Sequence, residues 1–190
     1  MLTAFQEKKL TYLFKFLDFN KNGILQHDDF SDIAGTICEK REFEFGTRQH
    51  KYVMDKCVKI YHRFLKDMTR KGAHDIHLEE WLNFFDEEIV NGEDELERDD
   101  YVEIIMDYVF GLTDKNKDGF ISKKEYLDIF STFRVGSKHA ENAFDHLDAN
   151  KDNKLSRYEV KHSIEMFITS ESESDMANWV FGNWETEPTP

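Results

Sequence analysis

Two stretches of this chain place oxygen-bearing side chains at alternate positions of a polar turn: Asp114-Lys115-Asn116-Lys117-Asp118-Gly119 and Asp148-Ala149-Asn150-Lys151-Asp152-Asn153. Alternating carboxylates and amides suit a hard cation. Ca²⁺ takes about six to eight oxygens at about 2.3–2.6 Å, and a twelve-residue loop supplies them from positions 1, 3, 5, 7, 9 and 12. Counted from Asp114, those positions are Asp114, Asn116, Asp118, Phe120 through its carbonyl, Ser122 and Glu125, with Gly119 at the sharp turn of position 6. Counted from Asp148, they are Asp148, Asn150, Asp152, Lys154 through its carbonyl, Ser156 and Glu159. Asn153 replaces glycine at that turn, and Asn is the next residue most tolerant of a left-handed backbone. Ile121 and Leu155 fall at position 8 of the two loops, placed for a short strand pairing between them.

A third loop offers Asp18, Asn20, Asn22, Ile24 through its carbonyl, Gln26 and Asp29, with Gly23 at the turn and Leu25 at position 8. Its closing residue is Asp rather than Glu, one methylene shorter. The site is therefore expected to bind Ca²⁺ more weakly or to admit Mg²⁺, which wants fewer ligands at shorter range. A fourth loop can be aligned over 69–80 by setting Ile76 at position 8 and Glu80 at position 12. Lys71 and Ala73 then stand where oxygen ligands belong, and His74 replaces the turn glycine. That loop is expected to hold no Ca²⁺ and to serve as a structural partner, with Ile76 pairing to Leu25. His74 and His77 lack a third soft ligand and read as surface residues.

Helices must carry these loops. Phe5, Leu10, Leu13, Phe14 and Leu17 follow three- and four-residue steps and end at the first loop. Tyr101, Ile104, Ile105, Tyr108, Val109 and Leu112 form a second such stripe, and Ala140, Ala143, Phe144 and Leu147 a third, each running into its loop. Between Asn91 and Asp100 the chain is almost wholly polar and acidic, which suits a boundary between two lobes and an acid-favouring helix start. Three segments are predicted: 1–92 with the loops 18–29 and 69–80, 93–168 with the loops 114–125 and 148–159, and a tail over 169–190.

The chain has 190 residues, with 25 Lys plus Arg against 39 Asp plus Glu and a net charge of −14. Such acidity argues against a nucleic-acid or anionic-membrane partner. An aromatic content of 14%, including 17 Phe, argues against disorder, and two Pro point to long uninterrupted helices. The opening residues do not read as a signal peptide, and no apolar run is long enough to span a bilayer. Cys38 and Cys57 have no framework spacing and read as reduced thiols of a cytoplasmic protein.

From about Phe5 to Phe181 the sequence resembles the EF-hand superfamily, and within it the four-EF-hand sarcoplasmic calcium-binding proteins. That group takes in calexcitin-like proteins and, more distantly, calcium-triggered photoproteins and luciferin-binding proteins. The likeness rests on Phe16-Leu17-Asp18-Phe19-Asn20-Lys21-Asn22-Gly23, the long separation of the first two loops, the degenerate second loop and the tail past the last helix. It implies an all-α fold of four EF-hand units in two pairs, packed into one compact body with short β-bridges between paired loops. It also implies that Met176, Trp179, Val180, Phe181 and Trp184 fold back to seal the core.

The function so implied is that of an intracellular calcium-binding protein with three Ca²⁺ sites, a buffer or shuttle, expected as a monomer. One alternative is a calexcitin-like sensor with a protein target. Another is a binder of an apolar small molecule such as a luciferin. Light emission fits poorly, because Phe167 and Phe181 lack the donors such chemistry needs, although His162 lies near an expected position. The six Met are scattered, so the adaptable groove of a calmodulin-like sensor is not evident. No phosphate loop, nucleophile elbow or HExxH pattern occurs, and the eight His are dispersed, so no enzyme is expected.

Overall fold

Thr3 opens the first helix with a reciprocal cap: its hydroxyl accepts the amide of Gln6, and the Gln6 side chain accepts the amide of Thr3 at 2.9 Å. From there, in a computed structural model that describes residues 1–133, 135–182 and 184, helices alternate with loops. Helix α1 spans Ala4–Leu17, strand β1 Ile24–Leu25, α2 His27–Lys40 and α3 Arg48–Met68. Strand β2 spans Ile76–His77 and α4 Leu78–Phe84, which continues as a wider π-helical turn over Phe85–Val90. Helix α5 runs over Glu95–Thr113, β3 over Phe120–Ser122, α6 over Lys123–Thr132 and α7 over Ser137–Leu147. Strand β4, Lys154–Ser156, precedes α8, Arg157–Thr169, and a 3₁₀ turn covers Met176–Trp179. The fold is all-α apart from these strands.

The strands tie the loops in pairs. β1 runs antiparallel to β2 with Leu25 opposite Ile76, and β3 antiparallel to β4 with Ile121 opposite Leu155. All four of these apolar residues are buried, so each bridge anchors its two loops on the core. The acidic stretch around Asn91–Asp100 begins a helix, since Asp94 caps α5 by accepting the amides of Leu96 and Glu97.

The aromatic residues fill the space between helices. Trp81 of α4 is fully buried and donates its indole N–H to the Leu10 carbonyl at 3.0 Å, with Phe14 and Phe64 meeting its ring edge-on. Across the molecule Phe16 of α1 stacks on Phe133 just past α6, with centroids 4.1 Å apart. A buried apolar cavity of about 80 Å³ lies where α1, α3, α5 and α6 meet.

The tail returns over α1. The Tyr12 hydroxyl donates to the Phe181 carbonyl at 2.9 Å, Phe181 packs edge-on against Phe167, and Trp184 packs against Phe5. Gly182 has a left-handed φ of +93°, and a Cβ there would lie 3.3 Å from Tyr12 and Phe130, so the turn needs glycine. Val180, Phe181 and Trp184 are buried, while Met176 stays 60% exposed. The rest of the predicted tail, residue 183 and 185–190, lies outside the described residues.

Candidate metal sites

Each candidate loop grows out of the last turn of a helix. Asp18, Asp114 and Asp148 are the residues that end α1, α5 and α7, and their own amides still close the helical ladder onto Phe14, Phe110 and Phe144. Position 1 is thereby held rigidly. The chain then turns through left-handed conformations at position 4, with φ near +60° for Lys21, Lys117 and Lys151, and again at position 6 for Gly23, Gly119 and Asn153. Non-glycine residues rarely hold such angles. Three loops adopting the same two therefore share one backbone path, and Asn153 takes the role of glycine at φ +64°.

This path turns side-chain oxygens inward. The position-5 side chains of Asn22, Asp118 and Asp152 each accept the amide of position 7, at 2.9–3.0 Å, which fixes the carbonyl-bearing residues Ile24, Phe120 and Lys154. Asn20, Asn116 and Asn150 each accept the amide two residues on. Position 1 accepts the position-6 amide in all three, at 2.8–3.0 Å.

Position 12 does two jobs. Ser122 and Ser156 cap α6 and α8, and Glu125 and Glu159 reach back to accept the amide and hydroxyl of the capping serine. Glu125 also accepts the amides of Lys115 and Asn116, which carries its carboxylate across the loop mouth. Burial works to raise its pKa, but these four donors outweigh burial and hold it below the usual carboxylate range. In the first loop Asp29 is fully buried and makes the same two links, to Asn20 at 3.1 Å and Gln26 at 2.8 Å. The shorter side chain thus still spans the loop. Burial raises its pKa, opposed by those amides, so a cation beside it would stabilise the ionised form.

The second loop departs in its backbone as well as its side chains. Its only positive φ is at Gly72, and His74 has none. Yet Glu80 keeps the capping link to the His77 amide at 3.0 Å, which accounts for an acid at position 12 without a metal. Both His74 and His77 are exposed. Asp75 was not anticipated: its carboxylate accepts the Gln26 side-chain amide at 2.7 Å across the loop pair, while Gln26 Oε1 accepts from Asn22. No local pattern marks that link, because its partner comes from the other loop.

The donor sets suit a hard divalent cation. Among the described residues no three His, Cys, Asp or Glu side chains gather into a metal-holding cluster of their own. Each loop instead mixes carboxylates with Asn amides, a Gln or Ser side chain and a main-chain carbonyl. Among the described residues one buried oxygen of these donor sets has no donor: Asp114 Oδ1 is unpartnered, whereas Asp18 Oδ1 and Asp148 Oδ1 accept the amides of Asn22 and Asp152. A buried carboxylate oxygen without a partner costs about 1–3 kcal/mol or more, and an oxygen-seeking cation would relieve it.

Four helix-loop-helix units, paired through short antiparallel bridges and closed by a returning tail, form a fold similar to that of the sarcoplasmic calcium-binding proteins. No family model matches the chain. Calerythrin of Saccharopolyspora erythraea is 23% identical over 167 residues, covering 88% of this chain and 94% of its own. Among solved structures, the coelenterazine-binding protein of Renilla muelleri in its calcium-loaded apo form superposes with a TM-score of 0.77 at 18% identity, over 96% of this chain and 99% of that one. The sarcoplasmic calcium-binding protein of amphioxus does so with 0.75 at 17% identity, again over 96% and 99%. At these identities the superpositions speak for the fold. Among the described residues no helix is long and apolar enough to cross a membrane.

Proposed function

We propose that the chain binds Ca²⁺ at three sites, the loops 18–29, 114–125 and 148–159, and acts as an intracellular calcium buffer or shuttle without catalytic activity. The unpartnered Asp114 Oδ1 carries this reading, because it leaves a ligand oxygen waiting for a positive charge in an otherwise satisfied loop. The loops at 114 and 148 share a strand pair, so ordering one lowers the ordering cost of the other and their binding is cooperative. The loop at 18 has a rigid partner in 69–80 that needs no metal, and its Asp29 closure makes it the site where Mg²⁺ competes most. Buffer behaviour is supported by apolar side chains that pack on one another among the described residues, Phe16 on Phe133 and Trp81 on Leu10, instead of lining an open apolar groove of the kind a sensor offers a helix. Calorimetric titration with Ca²⁺, repeated in millimolar Mg²⁺, tests it. Three ions bound with little change in dye-accessible apolar surface is the expected result; two or fewer overturns the site assignment, and a large rise in dye fluorescence overturns the buffer in favour of a sensor.

The central cavity favours a second reading, the binding of a small apolar molecule. Its walls are mostly Phe, Leu, Ile and Val side chains, joined by Trp81, Tyr108, Tyr126 and Thr113. At about 80 Å³ it falls well below the roughly 300–1,000 Å³ of pockets that hold drug-sized ligands. A multi-ring luciferin would have to displace core aromatics, and a ligand of benzene size suits it better.

A further inference from the structure

A second site lies away from the calcium loops, in an open groove of about 760 Å³ between the end of α3, the face of α4 with its π-helical turn, and the start of α5. Six carboxylates line it: Asp67, Glu79, Glu80, Glu87, Glu88 and Glu97. Two of them are engaged, Asp67 with Arg63 and Glu80 with the His77 amide. The side chains of Glu79, Glu87, Glu88 and Glu97 have no hydrogen-bond or ion-pair partner among the described residues. Against them stands Arg70, exposed and unpaired within the same set, so the groove is strongly negative.

Its wall holds an unsatisfied donor and acceptor. Tyr101 lines the groove and is 2% exposed, and its hydroxyl is buried without a partner, in the field of Asp67 and Arg63. A tyrosine hydroxyl is ordinarily paired when buried. Phe84, half-buried beside it with ring centroids 4.9 Å apart, adds an aromatic face.

The spacing excludes a single ion as the natural occupant. Glu79–Glu80 and Glu87–Glu88 lie eight residues apart on one helical run, about 10 Å or more along the axis, and Glu97 faces them from another helix. A row of separated carboxylates with an aromatic wall matches several cationic side chains on one chain, whose aliphatic stems pack on Phe84. A π-helical turn beside such a surface is often found where helices carry function.

We propose that this groove is a docking surface for a lysine- and arginine-rich segment of a partner protein, with one arginine donating to the Tyr101 hydroxyl. The surface does not draw on the calcium loops, so it stands or falls separately from the three-site reading. The test is fluorescence anisotropy with a fluorescein-labelled nine-residue peptide of alternating Arg and Ala, at about 0.15 M salt to screen long-range attraction. One variant carries Glu79→Gln, Glu87→Gln, Glu88→Gln and Glu97→Gln. A charge-matched variant carries Glu7→Gln, Glu39→Gln, Glu141→Gln and Glu173→Gln at exposed positions elsewhere. The groove variant should bind about tenfold more weakly and the control within about twofold of the wild type. Tyr101→Phe, which keeps the ring and its packing, should weaken binding about fivefold with an unchanged melting temperature. Equal losses in the two quadruple variants, no binding by the wild type, or full affinity in Tyr101→Phe would each overturn the proposal.

Discussion

Lys9 of α1 donates its ammonium to Asn178 Oδ1 at 2.9 Å, and to the Ser170 carbonyl at the same distance, in a site where the lysine is fully buried. Phe5 and Phe167 present ring faces to it. Asn178 in turn donates to the carbonyls of Ser172 and Glu173, so one contact stitches the tail to the first helix.

Burial lowers the Lys9 pKa to about 8, against the pull of Asp175, which raises it. The unfolded chain keeps that proton to about pH 10.4. Below pH 8 both states are protonated and the burial cost is constant; between pH 8 and about 10.4 the unfolded state holds the extra proton, so stability rises with pH. Urea unfolding at pH 7, 9 and 10.5 should show the wild type gaining on Lys9→Met across that window, and parallel curves would contradict the burial of a charged amine. Asn178→Ala, which strips the ammonium of an acceptor, should cost about 1–3 kcal/mol at pH 7.

Glu125→Gln and Glu159→Gln should each remove one Ca²⁺ from the calorimetric stoichiometry. Because a glutamine at the same position still accepts the amides of Ser122 or Ser156, the helix cap survives. Metal-free stability should therefore change by less than about 0.5 kcal/mol in Glu159→Gln, and fall by about 1–3 kcal/mol in Glu125→Gln, which strips the Lys115 and Asn116 amides of their acceptor. Retention of all three ions in either variant would contradict the ligand assignment.

Asp29→Glu gives the first loop the closing side chain of the other two. Its affinity for Ca²⁺ relative to Mg²⁺ should rise severalfold, read by titrating Ca²⁺ against a fixed Mg²⁺ background. Asp29 is fully buried, so the added methylene must be taken up by a small shift of α2, with an expected stability loss of about 1–3 kcal/mol in the metal-free protein. An unchanged Ca²⁺/Mg²⁺ ratio would show that the Asn20 and Gln26 amides, not side-chain length, set the closure.

Cys38 and Cys57 are both free and buried. Burial pushes the Cys57 thiol up to about 12, although the Tyr108 hydroxyl, 3.8 Å from its sulfur, works the other way. Since the thiolate is the reactive form, neither cysteine should react with a thiol reagent in native protein at pH 8, and both should react in denaturant. Rapid native labelling of Cys57 would contradict this packing.

Much of the site was legible because its grammar is local. Candidate ligands, turn residue and closing acid all fall within twelve residues, and a left-handed position 4 or a capping serine depends on near neighbours alone. The Leu25–Ile76 bridge was readable for a related reason: aligning two loops at position 8 sets the register of a strand pair. Glu80 aligns with position 12 of a loop expected to hold no Ca²⁺, and the structure shows it serving the His77 cap.

The sequence by itself thus determined the helix-loop-helix order, the spacing of oxygen-bearing side chains along three loops and the loop that lacks it. Only the tertiary structure decided which polar residues would be taken out of water. Lys9 looks like any helical lysine until a segment more than 160 residues away covers it. Asp75 looks like a loop acid until Gln26 of the other loop reaches it. Glu87, Glu88 and Glu97 become one negative groove, with the Tyr101 hydroxyl orphaned in its wall, only once three helices converge. Periodicity and spacing report what a residue does within its own turn or loop. Burial, desolvation and long-range pairing depend on distances through space, and these exist only after the chain has packed.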